Sequence, residues 1–206
     1  MFALVQDGSI TKYISGNRGI TLGDNQYSKQ IFYLWTSSER EAIGIYEVVF
    51  DNTNKKDEKW YINTNQSYAF ADGVVTASYG SATAKAHADT LFTAQDEIDG
   101  KGTEGEVATR GLKYNFIQTV KKQAAGELQN TDWYITRKAD AGTAVPSAIT
   151  THRAAVRTKC AEMETAITNA SNTAAIQTLY IYVNTADEGD PVVMERPLGE
   201  LPTLEV

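Results

Sequence analysis

The sequence contains few of the residues that most catalytic and metal sites use. It has one cysteine and two histidines in 206 residues. A single cysteine excludes an internal disulfide bond. His87 and His152 have no cysteine, histidine or carboxylate at the spacing of known metal motifs. No apolar run approaches the roughly 18 residues that a membrane helix needs. We therefore expect a protein that works by contact, with no enzyme activity, no metal, no cofactor and no membrane insertion.

The charge balance is acidic. The formal net charge is −7, whereas binding to a phosphate backbone needs clustered Lys and Arg. We therefore expect no nucleic-acid partner. The first residues lack a basic start followed by an apolar stretch, so the sequence predicts no signal peptide and synthesis in the cytoplasm. With 42% hydrophobic and 22% charged residues the composition is ordinary for a globular protein.

Residues 1–80 predict a small β-rich domain. Asp7-Gly8 and Asp72-Gly73 are strong hairpin signals. Ser37 begins a short predicted helix that Gly44 ends. The expected strands are Phe2 to Val5, Ile10 to Ile14, Tyr46 to Phe50, Lys59 to Thr64, Ser67 to Phe70 and Val74 to Tyr79. We interpret this pattern as an antiparallel meander.

Residues 81–104 differ in composition, being rich in Ala, Thr, Asp and Gly. They predict a connecting arm, which is either a flexible linker or carries a short helix around Ala82 to Leu91. Gly100 to Gly105 superficially resembles a phosphate loop but lacks its Gly-Lys-Ser/Thr end. The acidic residues of 96–99 favour a solvated loop, with a cation site as the alternative.

Residues 105–184 predict a helical hairpin with a polar loop over residues 129–146. Apolar residues recur at helical spacing in both halves. The expected core residues are Leu112, Phe116, Val120, Val156, Met163 and Ile167. Pro146 suits the first turn of the second helix. Cys160 lies on its apolar face, so we interpret it as a small buried side chain. His87 and His152 predict solvated or partly packed positions.

Residues 185–206 are acidic and interrupted by prolines, so they predict an extended tail. We expect this tail to lie against a neighbouring subunit or against the β-meander, with a self-docked tail as the alternative. The fold class expected overall is α+β: β-meander, arm, helical hairpin and tail.

The polar loop has two interpretations. Trp133 and Tyr134 beside Arg137 and Lys138 can form a recognition surface. Alternatively, Trp133 and Ile135 alternate inward and anchor the crossing between the helices. The second interpretation is the one that we favour from the sequence.

Three segments within residues 131–157 resemble a known module. Thr131-Asp-Trp-Tyr-Ile-Thr-Arg-Lys-Ala139, then Val145-Pro-Ser-Ala-Ile149 and His152-Arg-Ala-Ala-Val-Arg157, are similar to a C-terminal module of tail-fibre-associated and tail-fibre-assembly-like proteins of tailed bacteriophages. His152 stands where tyrosine is usual. The ending Arg196-Pro-Leu-Gly-Glu200 also resembles uncharacterised proteins of marine phages.

This resemblance implies a non-enzymatic structural or adaptor protein of the baseplate or tail-fibre region. It implies a virion location, oligomeric contacts and other tail proteins as partners. The alternative is a fibre-assembly chaperone that is absent from the finished particle, and a small hydrolase is a more distant one. The candidate interface and anchor residues are Trp133, Tyr134, Arg137, Val156, Met163, Leu198 and Leu201.

Overall fold

The computed structural model describes residues 1–204 and combines helices with several small sheets, so the fold class is α+β, as predicted. The chain divides into two compact units, Met1–Thr83 and Ala84–Val206. The predicted β-rich region forms most of the first unit. The second unit contains the predicted arm from Ala84 onward, the helical hairpin and the tail.

The first unit is built mainly from short strands. Its elements are β1 (Phe2–Gln6), β2 (Ser9–Ile14), β3 (Ile20–Leu22), β4 (Asn25–Tyr27), α1 (Ile31–Leu34), α2 (Ser37–Glu41), β5 (Ile45–Asp51), β6 (Tyr61–Ile62), β7 (Ser67–Ala71) and β8 (Val74–Ser78). The two-residue strand β9 (Thr83–Ala84) lies where the units meet in sequence.

Both Asp-Gly hairpins form as predicted. β1 pairs with β2 and β7 pairs with β8, each pair antiparallel. Asp7 and Gly8 have φ of 50° and 75°, and Asp72 and Gly73 have 50° and 76°. Two consecutive residues at positive φ define the turn that matches the twist of a two-residue hairpin, and Asp-Gly is among the pairs that adopt it most easily.

The main sheet is mixed, so the prediction of an antiparallel meander is wrong. Its strand order is β2-β1-β5-β8-β7, and β5 runs parallel to β8, with Val48 opposite Val75. The reason lies in burial. Val75 and Ala77 of β8 are fully buried, whereas β7 alternates between exposed and half-buried residues. The more apolar strand of the hairpin therefore takes the interior position, which makes its pairing with β5 parallel.

The sheet has a core on each face. One face packs Ala3, Val5, Val48, Val75 and Ala77 together. The other packs Phe2, Leu4, Ile14 and Ile45 against Ile31 and Phe32 of α1. The rings of Tyr13 on β2 and Tyr68 on β7 lie 4.7 Å apart, so the two edge strands approach each other and the sheet curls into a half-barrel.

The second unit is mainly helical. Its elements are β10 (Thr90–Leu91), α3 (Ala94–Ile98), β11 (Val107–Thr109), α4 (Leu112–Gln129), α5 (Asp132–Ala141), α6 (Ser147–Asn169), α7 (Thr173–Tyr180), β12 (Val183–Asn184) and β13 (Met194–Glu195). α4 packs on α6. The predicted core residues Leu112, Val120, Val156, Met163 and Ile167 are buried, and the half-buried Phe116 packs against the cluster of Val120, Met163 and Ile167, so their prediction as core residues is confirmed.

The connecting arm is an ordered hairpin. β10 pairs with β11, and α3 lies between them, so the predicted helix at Ala82 to Leu91 is wrong. The carboxylate of Asp89 accepts hydrogen bonds from the Gly111 amide at 2.8 Å and from Arg110 at 2.7 Å. The arm is therefore fixed to the start of α4.

The tail folds back on its own unit. β12 pairs with β13, and Leu198 is only 2% exposed among Val120, Met163 and Ile167. The Leu198 amide donates to the Leu179 carbonyl at 3.0 Å. The prediction of a tail on a neighbour or on the β-rich domain is therefore wrong for Leu198, and the self-docked alternative holds. Leu198 packs with residues of α4 and α6 in one apolar core, against which residues of α7 also pack.

Candidate interaction surface

Helix α5 occupies most of the predicted polar loop. The expectation of a loop over residues 129–146 is therefore wrong for Asp132–Ala141. Asp132 lies in the first turn and Lys138 in the last, where their charges complement the helix dipole. Gly142 ends the helix with φ of 69°, and its amide donates to the Lys138 carbonyl. None of the ten residues in α5 is buried.

One side of α5 presents an aromatic and cationic cluster, which we name the α5 surface: Trp133, Tyr134, Arg137 and Lys138. The rings of Trp133 and Tyr134 lie 3.8 Å apart. The Arg137 guanidinium lies 4.6 Å from the Trp133 ring and 5.3 Å from the Tyr134 ring. Helical spacing places Arg137 one turn after both rings. The three side chains therefore hold one another in a stacked arrangement.

The favoured interpretation of Trp133 as an inward anchor is wrong. Trp133 is 51% exposed and Ile135 is 43% exposed. That interpretation assumed that alternate residues face the same side, as in a strand. In a helix, residues two apart point in nearly opposite directions. The alternative interpretation, a recognition surface, is the one compatible with this exposure.

The start of α5 is fixed by a buried arginine. Arg153 of α6 is 7% exposed. Its Nη1 donates to the Leu128 carbonyl at 2.8 Å and to the Thr131 hydroxyl at 2.6 Å, and it lies 2.8 Å from the Asp132 carboxylate. The Thr131 hydroxyl in turn donates to the Leu128 carbonyl at 2.8 Å. We name this set of contacts the Arg153 clasp.

The clasp joins the first and the last of the three sequence segments that carry the resemblance. Thr131 and Asp132 open the first segment, and Arg153 is the second residue of the last one. The sequence gives no direct sign of this contact, because the partners are 21 and 22 residues apart in the chain. The sequence contains one indirect signal of the contact. A Thr-Asp pair opens a run that ends in Gly142, and an arginine follows on a mostly apolar face of the next helix.

Four of the predicted interface residues do not belong to this surface. Val156 and Met163 are at most 1% exposed, Leu198 is buried, and Leu201 is half-buried against the same core. They stabilise the second unit from inside. Trp133, Tyr134 and Arg137 are the predicted residues that the structure brings together at the surface.

Both histidines and the cysteine are at least partly buried. His152 is 8% exposed, and within residues 1–204 its Nε2 has no hydrogen-bond partner, so it is more buried than predicted. His87 is half-buried. Burial raises the pKa of the Cys160 thiol, and the neighbouring Glu164 raises it further. A nucleophilic cysteine requires the opposite shift.

Asp96 and Asp99, in and just after α3, have polar partners close to them in the sequence. The hydroxyl and amide of Thr93 bond to Asp96, and these hydrogen bonds lower the pKa of Asp96 to about 2. The Lys101 ammonium lies 3.1 Å from Asp96 and 2.9 Å from Asp99. Lysine thus takes the place that a cation would occupy. Within residues 1–204 no group of three or more potential ligands is arranged to hold a metal ion.

A second exposed surface lies on the tail, and we name it the acidic hairpin, residues 181–195. Its apolar side chains are between 45% and 70% exposed: Ile181, Tyr182, Val183, Val192, Val193 and Met194. Four exposed carboxylates accompany them: Asp187, Glu188, Asp190 and Glu195. The hairpin contains no lysine or arginine.

No protein-family model, no curated protein and no solved structure matches this chain. Among residues 1–204, no helix combines the length and the apolar character needed to cross a membrane.

Proposed function

We propose that this protein is a non-enzymatic adaptor in the tail of a bacteriophage, in the baseplate or tail-fibre region, and that it works through the α5 surface. The observation that carries the proposal is the surface stack of Trp133, Tyr134 and Arg137, in which Trp133 is exposed and the other two are half-buried. Tryptophan, tyrosine and arginine are the residues most enriched at the energetic centres of protein interfaces. The assignment to phage tails comes from the resemblance of residues 131–157.

Rigidity supports the same proposal. The Arg153 clasp fixes the first turn of α5 to α6, and Gly142 ends the helix. The aromatic stack is thus held in place before any partner arrives. A pre-ordered surface loses less conformational entropy on binding than a flexible loop does.

The proposal includes partners and location. We infer that the protein is made in the host cytoplasm, is incorporated into the virion tail, and binds other tail, baseplate or fibre proteins. It forms oligomers, and it needs neither nucleic acid nor insertion into a membrane. The second candidate is a fibre-assembly chaperone, which the same resemblance supports.

Quantitative mass spectrometry of purified particles tests the proposal. A stoichiometric copy number supports a virion component. A protein that binds fibre chains before assembly but is absent from purified particles would be the chaperone. A protein that is absent from both would contradict both candidates.

The α5 surface is tested with Trp133→Ala. We expect unchanged folding, because the side chain is half exposed, and at least tenfold less protein in the particle. Tyr33→Ala is the matched control, since Tyr33 is an aromatic residue of the first unit that is 69% exposed. Equal incorporation of the two variants would remove the α5 surface from the proposal.

A further inference from the structure

We propose that the α5 surface of one copy binds the acidic hairpin of a second copy. This inference rests on the proposed function and names one partner for the same surface. It concerns two surfaces of the second unit whose chemistry is complementary.

The two surfaces carry charges of opposite sign. Within residues 1–204, ion pairs include neither Arg137 nor Lys138, and none of the four hairpin carboxylates. The Arg137 Nε is buried and has no hydrogen-bond partner in the same part of the chain. The cations of the α5 surface and the carboxylates of the acidic hairpin are therefore both available for ion pairs with a second copy. Complementary potentials steer association and fix its register.

Both surfaces also present apolar side chains. The α5 surface offers the Trp133 and Tyr134 rings, and the acidic hairpin offers six exposed apolar side chains on its two short strands and next to them. An exposed apolar patch with a polar rim marks an interaction site. Aromatic rings beside a guanidinium on one side, and aliphatic side chains beside carboxylates on the other, can be buried together while Arg137 and Lys138 each face a carboxylate.

Both surfaces are held in place by contacts within the chain. The hairpin is held on both sides of its loop. The Thr185 amide donates to the Val193 carbonyl at 2.8 Å, and the Asn184 side chain accepts from the Val193 amide at 3.0 Å. Behind the hairpin, Leu198 fixes the chain to the helical core. Both proposed surfaces therefore exist before association. Every copy carries both surfaces. Because the two surfaces differ from each other, the contact between copies is head-to-tail.

The test is sedimentation of the purified full-length chain at low salt and at 0.5 M salt. We expect concentration-dependent association that salt weakens at least tenfold. Variant A carries Arg137→Glu and Lys138→Glu. Variant B carries Asp187→Lys, Glu188→Lys, Asp190→Lys and Glu195→Lys, which reverses all four charges of the acidic hairpin. Each variant alone should sediment as a monomer, because the contact then brings like charges together.

Mixing variants A and B should restore association. The reversed α5 surface of A then faces the reversed hairpin of B, and the native hairpin of A faces the native α5 surface of B. A control with Lys12→Glu and Arg18→Glu has the same net charge as variant A but leaves both surfaces intact, so it should associate like the unchanged chain. Near-ultraviolet circular dichroism verifies that all variants fold.

Three results would overturn the inference. These are a monomer at low salt at all accessible concentrations, association that variants A and B leave intact, and a mixture that stays monomeric. None of the three decides whether the protein is found in particles. A monomer that is present in purified particles would refute the inference and the oligomer named under the proposed function, but it would leave the role as a tail adaptor standing.

Discussion

The Nη1 atom of Arg153 lies 2.6 Å from the hydroxyl of Thr131, and the same atom is 2.8 Å from the carboxylate of Asp132. One buried cation of α6 thereby meets the last residue before α5 and the first residue within it. The contact takes the place of a side-chain cap, because the Thr131 hydroxyl makes no capping bond to α5. The start of this helix is fixed by tertiary structure instead of by its own sequence.

We predict that Arg153→Ala destabilises the second unit by about 1.5–3 kcal/mol, the range for hydrogen bonds to charged groups. The Leu128 carbonyl and the Thr131 hydroxyl would lose their charged donor. Chemical denaturation measures the change, and amide hydrogen exchange should accelerate in α5 more than in α4. Arg157→Ala is the control, because Arg157 makes one long hydrogen bond of 3.4 Å to the Arg153 carbonyl. Equal losses in the two variants would refute the clasp.

Two glycines should respond to alanine in opposite directions. A Cβ at Gly111 would lie 2.2 Å from the Ala88 carbonyl oxygen, so Gly111→Ala should force the arm away from α4 and lower the melting temperature. A Cβ at Gly126, inside α4, would meet nothing within 4 Å. Gly126→Ala should therefore stabilise the protein by about 1 kcal/mol through helix propensity. Thermal unfolding of both variants tests the pair, and a stabilising Gly111→Ala would contradict the structure there.

Leu198 should be necessary for the stability of the helical core. Leu198→Ala removes a side chain that is 2% exposed, and we expect a cost of about 2–5 kcal/mol. Val192→Ala, at a position that is 70% exposed, should change stability by no more than about 0.5 kcal/mol. Urea unfolding distinguishes the two. A harmless Leu198→Ala would mean that the tail does not dock on α4 and α6.

Asp96 should titrate at about pH 2 instead of its ordinary 3.8. Backbone and side-chain hydrogen bonds from Thr93 are the main cause. Because the folded pKa is lowered, the stabilisation is fully present above the unfolded pKa and is lost as the pH falls through about 2. A carboxyl NMR titration measures this pKa. Thr93→Ala should raise it, and an unchanged value would show that Thr93 is not the cause.

The two long helices and both hairpins could be predicted from sequence because their signals are local. Asp-Gly needs only its own two residues to form the turn. Val120 and Met163 belong to apolar faces with clear helical spacing. For these elements the structure confirms what periodicity and turn chemistry indicate.

α5 and the parallel pair of β5 and β8 could not be predicted in the same way. α5 has no buried side chain, so it lacks the apolar periodicity by which helices are recognised. Its aromatic and β-branched residues Trp133, Tyr134 and Ile135 favour strands instead. The pairing of β8 depends on which hairpin strand is more deeply buried, and the burial of Val75 is decided by tertiary packing.

The absence of buried side chains along α5 has a consequence for how binding specificity can change. Substitutions at Trp133, Tyr134, Arg137 or Lys138 alter what a partner meets and leave the packing of α4 on α6 intact. The residues that keep the helix in place, Thr131 and Arg153, lie outside this set. Recognition and folding are therefore encoded by different residues of the same short segment, and a new partner can be acquired without a new fold.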